Sequence, residues 1–463
     1  MSYDQIIIGG GLSGLAAGIR LARFGSKVLI LEKHSVAGGL NSYYHRQGRL
    51  FETGLHAMTN FAPPGQKKAP LNRLFRQLSL SRKSFVTHEQ FHSTVLFPGE
   101  TSLRFANDPT LLRAEVARVF PDQAARFNRL LALIADHDPF VIRPWSSARE
   151  KIMEILGNEL LVNMLLWPLF MYGSCNEHDM DFDQFVIMFN AVYNEGFFRP
   201  AGSISDFLEL LLDHYRALGG EIRFRSGVRE FVVDGDVVCG VTLESGETIG
   251  CGQVISTAGY PATLGFMGVA PDSQEVASHH GRLGFVEMIY VLPAAMREKL
   301  KADSTIVFYN FEEPFTYERP ASAVNVRSGV ICFPENFHGV RVGDEFQVRV
   351  THTANYDLWR SYAPEEYRRM KQDWARRSEE VVSEIIGNYT ENIVYQDIFT
   401  PLTVERYTGK ASGAIYGSPI KIRDGRTPLS NLFIAGTDQG FLGIVGSMLS
   451  GVSMVNKHIF EKS

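Results

Sequence analysis

A chain of 463 residues is too long for one compact core, so we expect two or three domains. Lysine and arginine (46 together) nearly balance aspartate and glutamate (51 together), and the net charge of -5 gives no support for a nucleic-acid partner. The cysteines are far apart and form no CxxC pair, which argues against a disulfide framework and against a zinc site. They are Cys175, Cys239, Cys251 and Cys332.

The predicted first strand begins within a few residues of Met1, which leaves no room for a secretory signal or a transit peptide. We therefore expect a cytoplasmic location. The longest apolar stretch, residues 160–172, contains Asn163 and Pro168 and is too short to span a bilayer. A buried helix is the favoured interpretation of this stretch, and a surface that touches a membrane is the alternative.

The N-terminal segment has the order strand, glycine-rich turn, helix and second strand. An apolar run over residues 5–8 passes directly into a glycine-rich stretch over residues 9–14. Gly9 permits a tight turn, Gly11 lets the backbone approach a pyrophosphate, and Gly14 lets the helix pack closely on the sheet. The order and length of these elements indicate a β-α-β dinucleotide-binding unit.

The second strand of this unit, residues 27–31, ends on Glu32. A carboxylate at this position can accept hydrogen bonds from both hydroxyls of an adenosine ribose. The N terminus of the preceding helix offers free amide donors and a favourable dipole to phosphate groups. A glycine-rich loop in another kind of α/β protein is the alternative, which the order of strand, helix, strand and acidic residue disfavours.

A second glycine-rich loop follows Glu32. It starts at Lys33, contains the pair Gly38-Gly39, and leads to a predicted strand over residues 49–58. In a nicotinamide dehydrogenase a plain helix and strand normally come next. A second loop with exposed amides suits a ligand longer than the adenine half, so we expect FAD rather than NAD.

The block from Glu32 to Met58 resembles the N-terminal flavin-binding signature of the phytoene desaturase, carotenoid isomerase and retinol saturase family of FAD-dependent oxidoreductases, within the amine-oxidase-like flavoprotein superfamily. The glycine pair and the Phe-acid-x-Gly sequence of residues 51–54 meet the family pattern. Leu40 departs from it, because many members have arginine there; neutralisation of charge must then come from backbone amides or elsewhere. The histidine two positions after Gly54, His56, resembles the saturase-like branch of the family more than the desaturases.

The resemblance implies that FAD is held by three separated parts of the chain. Asp438 would accept hydrogen bonds from ribitol hydroxyls, and the helix start near Gly443 would stabilise negative charge on the reduced flavin. Val228 would contact adenine, and Thr257-Ala258 would lie beside the pyrophosphate. An ordinary strand, turn and helix that close the sheet are the alternative for the C-terminal part. The expected FAD contacts are Gly9, Gly11, Gly14, Glu32, Lys33, Gly38, Gly39, Leu40, Leu55, Val228, Asp438, Ile444 and Val445.

The middle of the chain predicts a second domain. Helical spacing and hairpin signals alternate there, and its methionine and aromatic stripes are more often core than ligand surface. Predicted helices between residues 71 and 386 cover residues 71–80, 111–136 with a break at Pro121, 148–190, 205–218 and 362–386, and predicted strands cover residues 94–97, 101–105, 221–225, 228–233, 237–243, 253–259, 285–292, 328–333 and 348–352. Within this part of the chain, the helix and strands over residues 205–259 return to the nucleotide-binding domain.

The fold class that follows is α/β, with a discontinuous Rossmann-like FAD-binding domain and an inserted α+β substrate-binding domain. We assign residues 1–65, 215–275 and 396–463 to the FAD-binding domain. Residues 66–214 and 276–395 form the substrate-binding domain.

The resemblance implies an FAD-dependent oxidoreductase that forms, reduces or isomerises C=C bonds of an apolar conjugated or isoprenoid substrate, with possible peripheral membrane contact. A flavin amine oxidase of a polar substrate and a non-catalytic flavin-binding protein are the alternatives. His56 and Tyr416 are the candidate catalytic residues, although His56 could equally serve only to hydrogen-bond the flavin loop. The direction of reaction and the electron donor or acceptor stay open.

Overall fold

The computed structural model describes residues 2–54, 57–141 and 143–461. The strands are β1 (Ser2–Ile8), β2 (Val28–Leu31), β3 (Tyr43–Arg46), β4 (Arg49–Glu52), β5 (Thr87–Glu89), β6 (Ser93–Phe97), β7 (Thr101–Phe105), β8 (Phe198–Pro200), β9 (Glu221–Arg223), β10 (Val228–Asp234), β11 (Val237–Leu243), β12 (Thr248–Ser256), β13 (Gly284–Pro293), β14 (Ile306–Asn310), β15 (Ser328–Cys332), β16 (Glu345–Ala354), β17 (Tyr395–Phe399) and β18 (Leu432–Ile434).

The α-helices occupy most of the segments between these strands. They are α1 (Leu12–Ala22), α2 (Pro70–Leu78), α3 (Thr110–Val119), α4 (Ala124–Asp136), α5 (Ala148–Leu156), α6 (Glu159–Gly173), α7 (Phe182–Phe189), α8 (Ile204–Ala217), α9 (Tyr260–Phe266), α10 (Gln274–Ser278), α11 (Tyr356–Ser361), α12 (Pro364–Ile386), α13 (Pro401–Thr408) and α14 (Gly443–Val455).

The first sheet has the Rossmann-like arrangement that the N-terminal sequence predicts. β1 pairs in parallel with β2 and β12, β2 pairs in parallel with β9, and β12 pairs in parallel with β18. Both faces of β1 are covered, because Ile7 packs with α1, α8 and α14 while Ile6 and Ile8 pack with the β10–β11 hairpin. Parallel strands buried on both faces read as continuous apolar runs, which is the pattern of residues 5–8.

The second sheet has the order β17-β13-β16-β15-β14-β6-β7 and is antiparallel except for the pair β14 and β6. Helices α3 to α7 pack on one face and α12 packs on the other. Strands from before and after the Rossmann segment of residues 221–256 therefore meet in one sheet. The fold class predicted from the sequence, a discontinuous Rossmann-like domain with an inserted α+β domain, is confirmed.

Three elements lie elsewhere than the sequence-based domain boundaries suggest. Helix α2 and most of α8 fall in the segment assigned to the substrate domain, yet they pack against α1 in the first domain. Strand β17 falls in the segment assigned to the FAD-binding domain, yet it hydrogen-bonds to β13 of the second sheet. These helices join the first domain because their apolar faces cover its α1 and α14, a contact that a boundary drawn along the chain does not reveal.

The apolar stretch over residues 160–172 forms most of helix α6, whose side chains are almost all buried against α5, α7 and the second sheet. The preferred interpretation of this stretch as a buried helix is confirmed. Among the helices that the structure describes, none combines the length and hydrophobicity that crossing a lipid bilayer requires.

Candidate functional site

The ends of β1, β2, β12 and β18 meet at one edge of the first sheet, where open α/β sheets bind their ligands. Gly9 has a φ of 101°, a backbone conformation that glycine adopts without strain, and the chain turns there into α1. A Cβ at Gly14 would collide with the carbonyl oxygen of Gly9. Within the described part of the chain no side chain caps the N terminus of α1, so its first amides are available to an anion.

Glu32 is fixed at the end of β2 by two backbone amides. Its Oε2 accepts a hydrogen bond from Gly10 N at 2.6 Å, and its Oε1 accepts one from His34 N at 2.7 Å. Each carboxylate oxygen has a further lone pair that could accept from a ribose hydroxyl. The rigid placement is consistent with the role that the sequence predicts for this residue.

The two glycine-rich loops contact each other. Gly38 N donates to Gly10 O at 3.0 Å, and Gly38 has a φ of 114° in a position where a Cβ would crowd Leu208 and the backbone near Asn41. Beside Gly11 there is open space, since the nearest atom to a Cβ built there is Gly38 O at 3.9 Å. The backbone at Gly11 is therefore accessible to a ligand, as the motif predicts.

The hydroxyl of Ser13 supports a phosphate ligand at the start of α1. Ser13 is buried, its Oγ has no hydrogen-bond partner among the residues described, and it lies 3.7 Å from the position of a Cβ at Gly436. A buried hydroxyl without a partner costs about 1–3 kcal/mol. A pyrophosphate between α1 and the end of β18 would satisfy it, so the residues of this cleft fit the dinucleotide part of FAD.

Asp438 is buried, and both of its carboxylate oxygens have backbone donors. Oδ2 accepts from Tyr260 N at 2.6 Å and Oδ1 accepts from Ser418 N at 2.9 Å. Burial opposes ionisation of Asp438, but the ammonium groups of Lys410 and Lys421 and these amides hold the pKa of its carboxyl below its usual value. The carboxylate thus ties three segments together, and its contact with ribitol hydroxyls stays a prediction.

Lys410 is a cation that the sequence motifs do not point to. Its Nζ lies 3.4 Å from Thr437 Oγ1 and faces a cavity of about 280 Å³ that Ala258, Gly259 and Asp438 also line. Because Leu40 carries no charge, an ammonium group beside the predicted pyrophosphate region can supply positive charge there. No local signal marks Lys410, because it reaches this region from a segment far from the glycine loops.

The N terminus of α14 is the expected neighbour of the isoalloxazine. Gly443 has a φ of 72° and is exposed, and its closest neighbour outside the helix is Thr59, whose Oγ1 lies 3.5 Å from the position of a Cβ at Gly443. The side chains of Ile444 and Val445 are buried in the first domain, and their contact with FAD stays a prediction.

The remaining predicted FAD contacts are less central. Val228 is buried in β10, Leu40 is half-buried beside the glycine pair, and the exposed Lys33 pairs at the surface with Glu244 at 3.1 Å. Leu55 and the candidate catalytic residue His56 lie outside the residues that the structure describes.

A buried polar cluster joins β4 of the N-terminal segment to the second sheet. Arg349, 1% exposed, donates from Nε to Glu287 Oε1 at 2.6 Å and from Nη2 to Glu52 O at 2.8 Å. Arg199 Nη2 donates to Glu52 Oε2 at 2.6 Å. Removal of one member of such a buried pair disturbs the charge balance of the interior, so this cluster fixes how β4 meets the second domain. The sequence does contain one signal for this buried polar cluster, because Glu287 is a charged residue inside an otherwise apolar strand.

Two tyrosines lie close to this cluster. The hydroxyl of Tyr416 donates to the carbonyl of Met171, which anchors this candidate catalytic residue to α6. The hydroxyl of Tyr172 is buried without a partner in the described chain, and its ring packs against Phe197 and Phe308 with centroid distances of 4.8 and 5.6 Å. Burial raises the pKa of both phenols, so both remain hydrogen-bond donors at neutral pH.

Comparison with known proteins adds the following. A family model described as flavin containing amine oxidoreductase matches residues 12–294. All-trans-retinol 13,14-reductase from Danio rerio is 23% identical over 98% of this chain and 86% of that protein. Prolycopene isomerase from Arabidopsis thaliana is 21% identical over 90% of this chain and 74% of that protein.

Solved structures share the fold over the whole chain. An oxidoreductase from Methanosarcina mazei superposes with a TM-score of 0.67 at 17% identity, covering 99% of this chain and 100% of that one. Wild-type putrescine oxidase bound to putrescine gives a TM-score of 0.61 at 15% identity, covering 98% of both chains.

Proposed function

The chain belongs to the flavin containing amine oxidoreductase family, and we propose that it acts on C=C bonds of an apolar conjugated or isoprenoid substrate. It is an FAD-dependent oxidoreductase. The cofactor supplies hydride exchange when bound, while the protein supplies position and electrostatics. The residues of the first domain described above would hold the adenine, the pyrophosphate and the pyrimidine end of the flavin.

The observation that carries this proposal is the apolar wall of the second domain next to the buried polar cluster. Tyr172, Phe315, Ile415 and Tyr416 retain accessible surface, although they pack on the core formed by α6 and the second sheet. Partly accessible side chains that are mostly aromatic and carry few polar groups suit contact with an elongated apolar ligand. Relatives named as a retinol reductase and a prolycopene isomerase support a polyene as that ligand.

The test is anaerobic mixing of purified enzyme with a panel of retinoid and carotenoid polyenes. Reoxidation of dithionite-reduced flavin with a product two mass units heavier indicates saturation, and bleaching of oxidised flavin with a lighter product indicates desaturation. A product of unchanged mass indicates isomerisation. Bleaching by amines but by no polyene would contradict the proposal.

The catalytic candidates enter the same assay as variants. We expect His56→Ala to keep bound FAD and to lose turnover, and unchanged turnover would discard its catalytic role. For Tyr416→Phe we expect smaller losses, because its hydroxyl already donates to Met171 within the protein.

We also propose a peripheral membrane contact through the loop between α4 and α5. Phe140, Val141 and Trp145 of this loop are 69%, 47% and 58% exposed. Arg143 Nη1 donates to Asp138 O at 2.6 Å within the same segment. Exposed aromatic and aliphatic residues beside an arginine suit the lipid–water interface, where an apolar substrate would be collected.

A further inference from the structure

A positively charged surface lies on the first domain, although the whole chain carries a net charge of -5. No aspartate or glutamate occurs in residues 5–31 or in residues 53–88. The two segments meet where the end of α1 packs beside α2. Five cations and one aromatic residue of these segments are exposed, and we call them the basic face. They are Arg23, Phe24, Lys67, Lys68, Arg73 and Arg76.

Hydrogen bonds to the backbone bring these cations together. Arg23 Nη1 donates to Arg76 O at 3.2 Å and to Gln77 O at 3.0 Å, so its guanidinium group lies on the last turn of α2. Arg76 Nη1 in turn donates to the carbonyl of Lys67, in the loop before α2. Arg73 precedes Arg76 by three residues, so the two side chains lie on the same side of the helix. The cations therefore form one continuous surface.

The charge of this surface is not compensated by neighbouring acids. Within the part of the chain that the structure describes, none of its five basic side chains forms an ion pair. By contrast, Arg369 and Arg376 of α12 each pair with an acid on the same helix. Lys67 and Lys68 also line an open surface cavity of about 620 Å³, which Glu195 shares without pairing to either of them. The basic face is therefore open to an anionic partner.

Helix electrostatics explain only part of this charge. Cations near the C terminus of a helix are favourable, which suits Arg23 and Arg76. Lys67, Lys68 and Arg73 lie before α2 or in its first turn, where a positive charge opposes the helix dipole and where no acidic residue is present. Helix stability therefore does not account for the three cations at this end of the surface.

The composition of the basic face fits an anionic phospholipid surface. Phe24 is 58% exposed, and its ring centroid lies 4.7 Å from Arg20 Cζ and 5.6 Å from Arg23 Cζ. Exposed aromatic rings beside basic side chains are typical of proteins that bind at the lipid–water interface. Clusters of about four to eight lysines and arginines favour anionic lipids. An acidic protein would match the charge of this face but gives no reason for the exposed ring.

We propose that the basic face binds the anionic phospholipids of a membrane surface. This rests on the proposed function, because an apolar substrate dissolved in a bilayer is what the enzyme gains by binding there. The arginines and lysines hold lipid phosphate groups, and Phe24 enters the interfacial region. The loop between α4 and α5, whose exposed side chains are mainly apolar, contributes binding that does not depend on lipid charge. The basic face adds selectivity for anionic membranes.

The first experiment is co-sedimentation of the FAD-loaded protein with vesicles, without any polyene. Vesicles of phosphatidylcholine alone are compared with vesicles that also contain phosphatidylglycerol, at low and at high salt. The test variant combines Lys67→Gln, Lys68→Gln and Arg73→Gln. The control variant makes the same change of charge at exposed positions of the second domain, and it combines Lys299→Gln, Lys301→Gln and Arg368→Gln.

The two variants report where the charge acts, because their net charges are equal. A lysine or arginine near an anionic bilayer strengthens binding about fivefold. We expect phosphatidylglycerol to tighten binding of the wild type and of the control at low salt, and the test variant to bind these vesicles about 10- to 100-fold more weakly. High salt should remove the difference, because it screens the charges.

Three results would overturn the inference. They are wild-type binding that does not respond to phosphatidylglycerol, equal binding by the test variant and the wild type, and an equal loss in the test and control variants. A wild type that ignores phosphatidylglycerol but is retained on immobilised polyglutamate through Lys67, Lys68 and Arg73 would assign the face to an acidic protein instead.

Turnover of a reacting polyene separates this inference from the proposed function. The test variant should match the wild-type rate when the polyene is supplied in detergent micelles, and it should be slower when the polyene is supplied in phosphatidylglycerol vesicles. Equal rates in these vesicles would contradict the role of the basic face and leave the proposed function standing. A wild type that binds anionic vesicles but reacts with no polyene would contradict the proposed function and leave the lipid contact standing.

Discussion

Replacing Glu195 with glutamine should stabilise the protein above neutral pH and leave its stability unchanged in acid. Burial raises the folded-state pKa of this carboxyl from 4.5 to about 7. Between these values the folded state binds more protons than the unfolded state, so wild-type stability falls as the pH rises through the window. Glutamine resembles the neutral acid and avoids the loss. The variant should match the wild type below pH 4.5 and exceed it fully above pH 7.

The size of the effect follows from the shift. A change of about 2.5 pKa units corresponds to about 3 kcal/mol, an upper value because the carboxyl opens on a cavity. With about 2.1 cal/mol/K of unfolding entropy per residue, 463 residues give about 1 kcal/mol per degree, so the melting temperature should rise by up to about 3 °C.

The assay is thermal unfolding of the FAD-saturated proteins, followed by circular dichroism from pH 4.5 to 8.5. Glu154→Gln, which replaces an exposed glutamate on α5, is the matched control and should show no pH-dependent difference from the wild type. A constant difference between Glu195→Gln and the wild type across this range would refute the reasoning, because it would mean that the carboxyl titrates alike in both states.

Three further variants test other parts of the structure. Gly11→Val should purify without bound flavin, since its side chain would fill the open space beside Gly38 O; full flavin occupancy, read from the absorbance ratio of flavin to protein, would contradict the assigned cleft. Arg349→Met should destabilise the fold by about 3–5 kcal/mol, because it removes the guanidinium group that faces the buried carboxylate of Glu287. The exposed Arg113→Met should cost little, and urea unfolding measures both. The pair Phe140→Ser with Trp145→Ser should weaken co-sedimentation with phosphatidylcholine vesicles at least about tenfold without loss of flavin, and equal binding would exclude the loop as the membrane contact.

Much of the first domain could be predicted from the sequence because its signals are local. The turn at Gly9, the helix after it and Glu32 at the end of β2 lie within one β-α-β unit, and each residue type has a mechanical reason to be there. The C-terminal motif could be joined to this unit because its own order of strand, turn and helix is equally compact.

The polar contacts between the two domains could not be predicted in this way. The bond from Arg349 to Glu52 joins residues 297 positions apart, and the bond from Asn60 to Glu195 joins residues 135 positions apart. Both separations are far longer than a local sequence motif. Tyr172 could not be predicted for another reason: it lies near the end of a helix in which most other side chains are buried, so nothing in the stretch marks its hydroxyl as unpaired.

The interleaving of the two sheets has a consequence for synthesis on the ribosome. The first sheet lacks β18 until residue 434 has been made, and the second lacks β17 until residue 399. Neither domain can therefore close while the nascent chain is short, and the apolar strands β13 to β16 emerge before β17 is available to cover the edge of β13. Unpaired strand edges are prone to aggregation, so we expect those edges to need protection from intermolecular pairing until nearly the whole polypeptide is released.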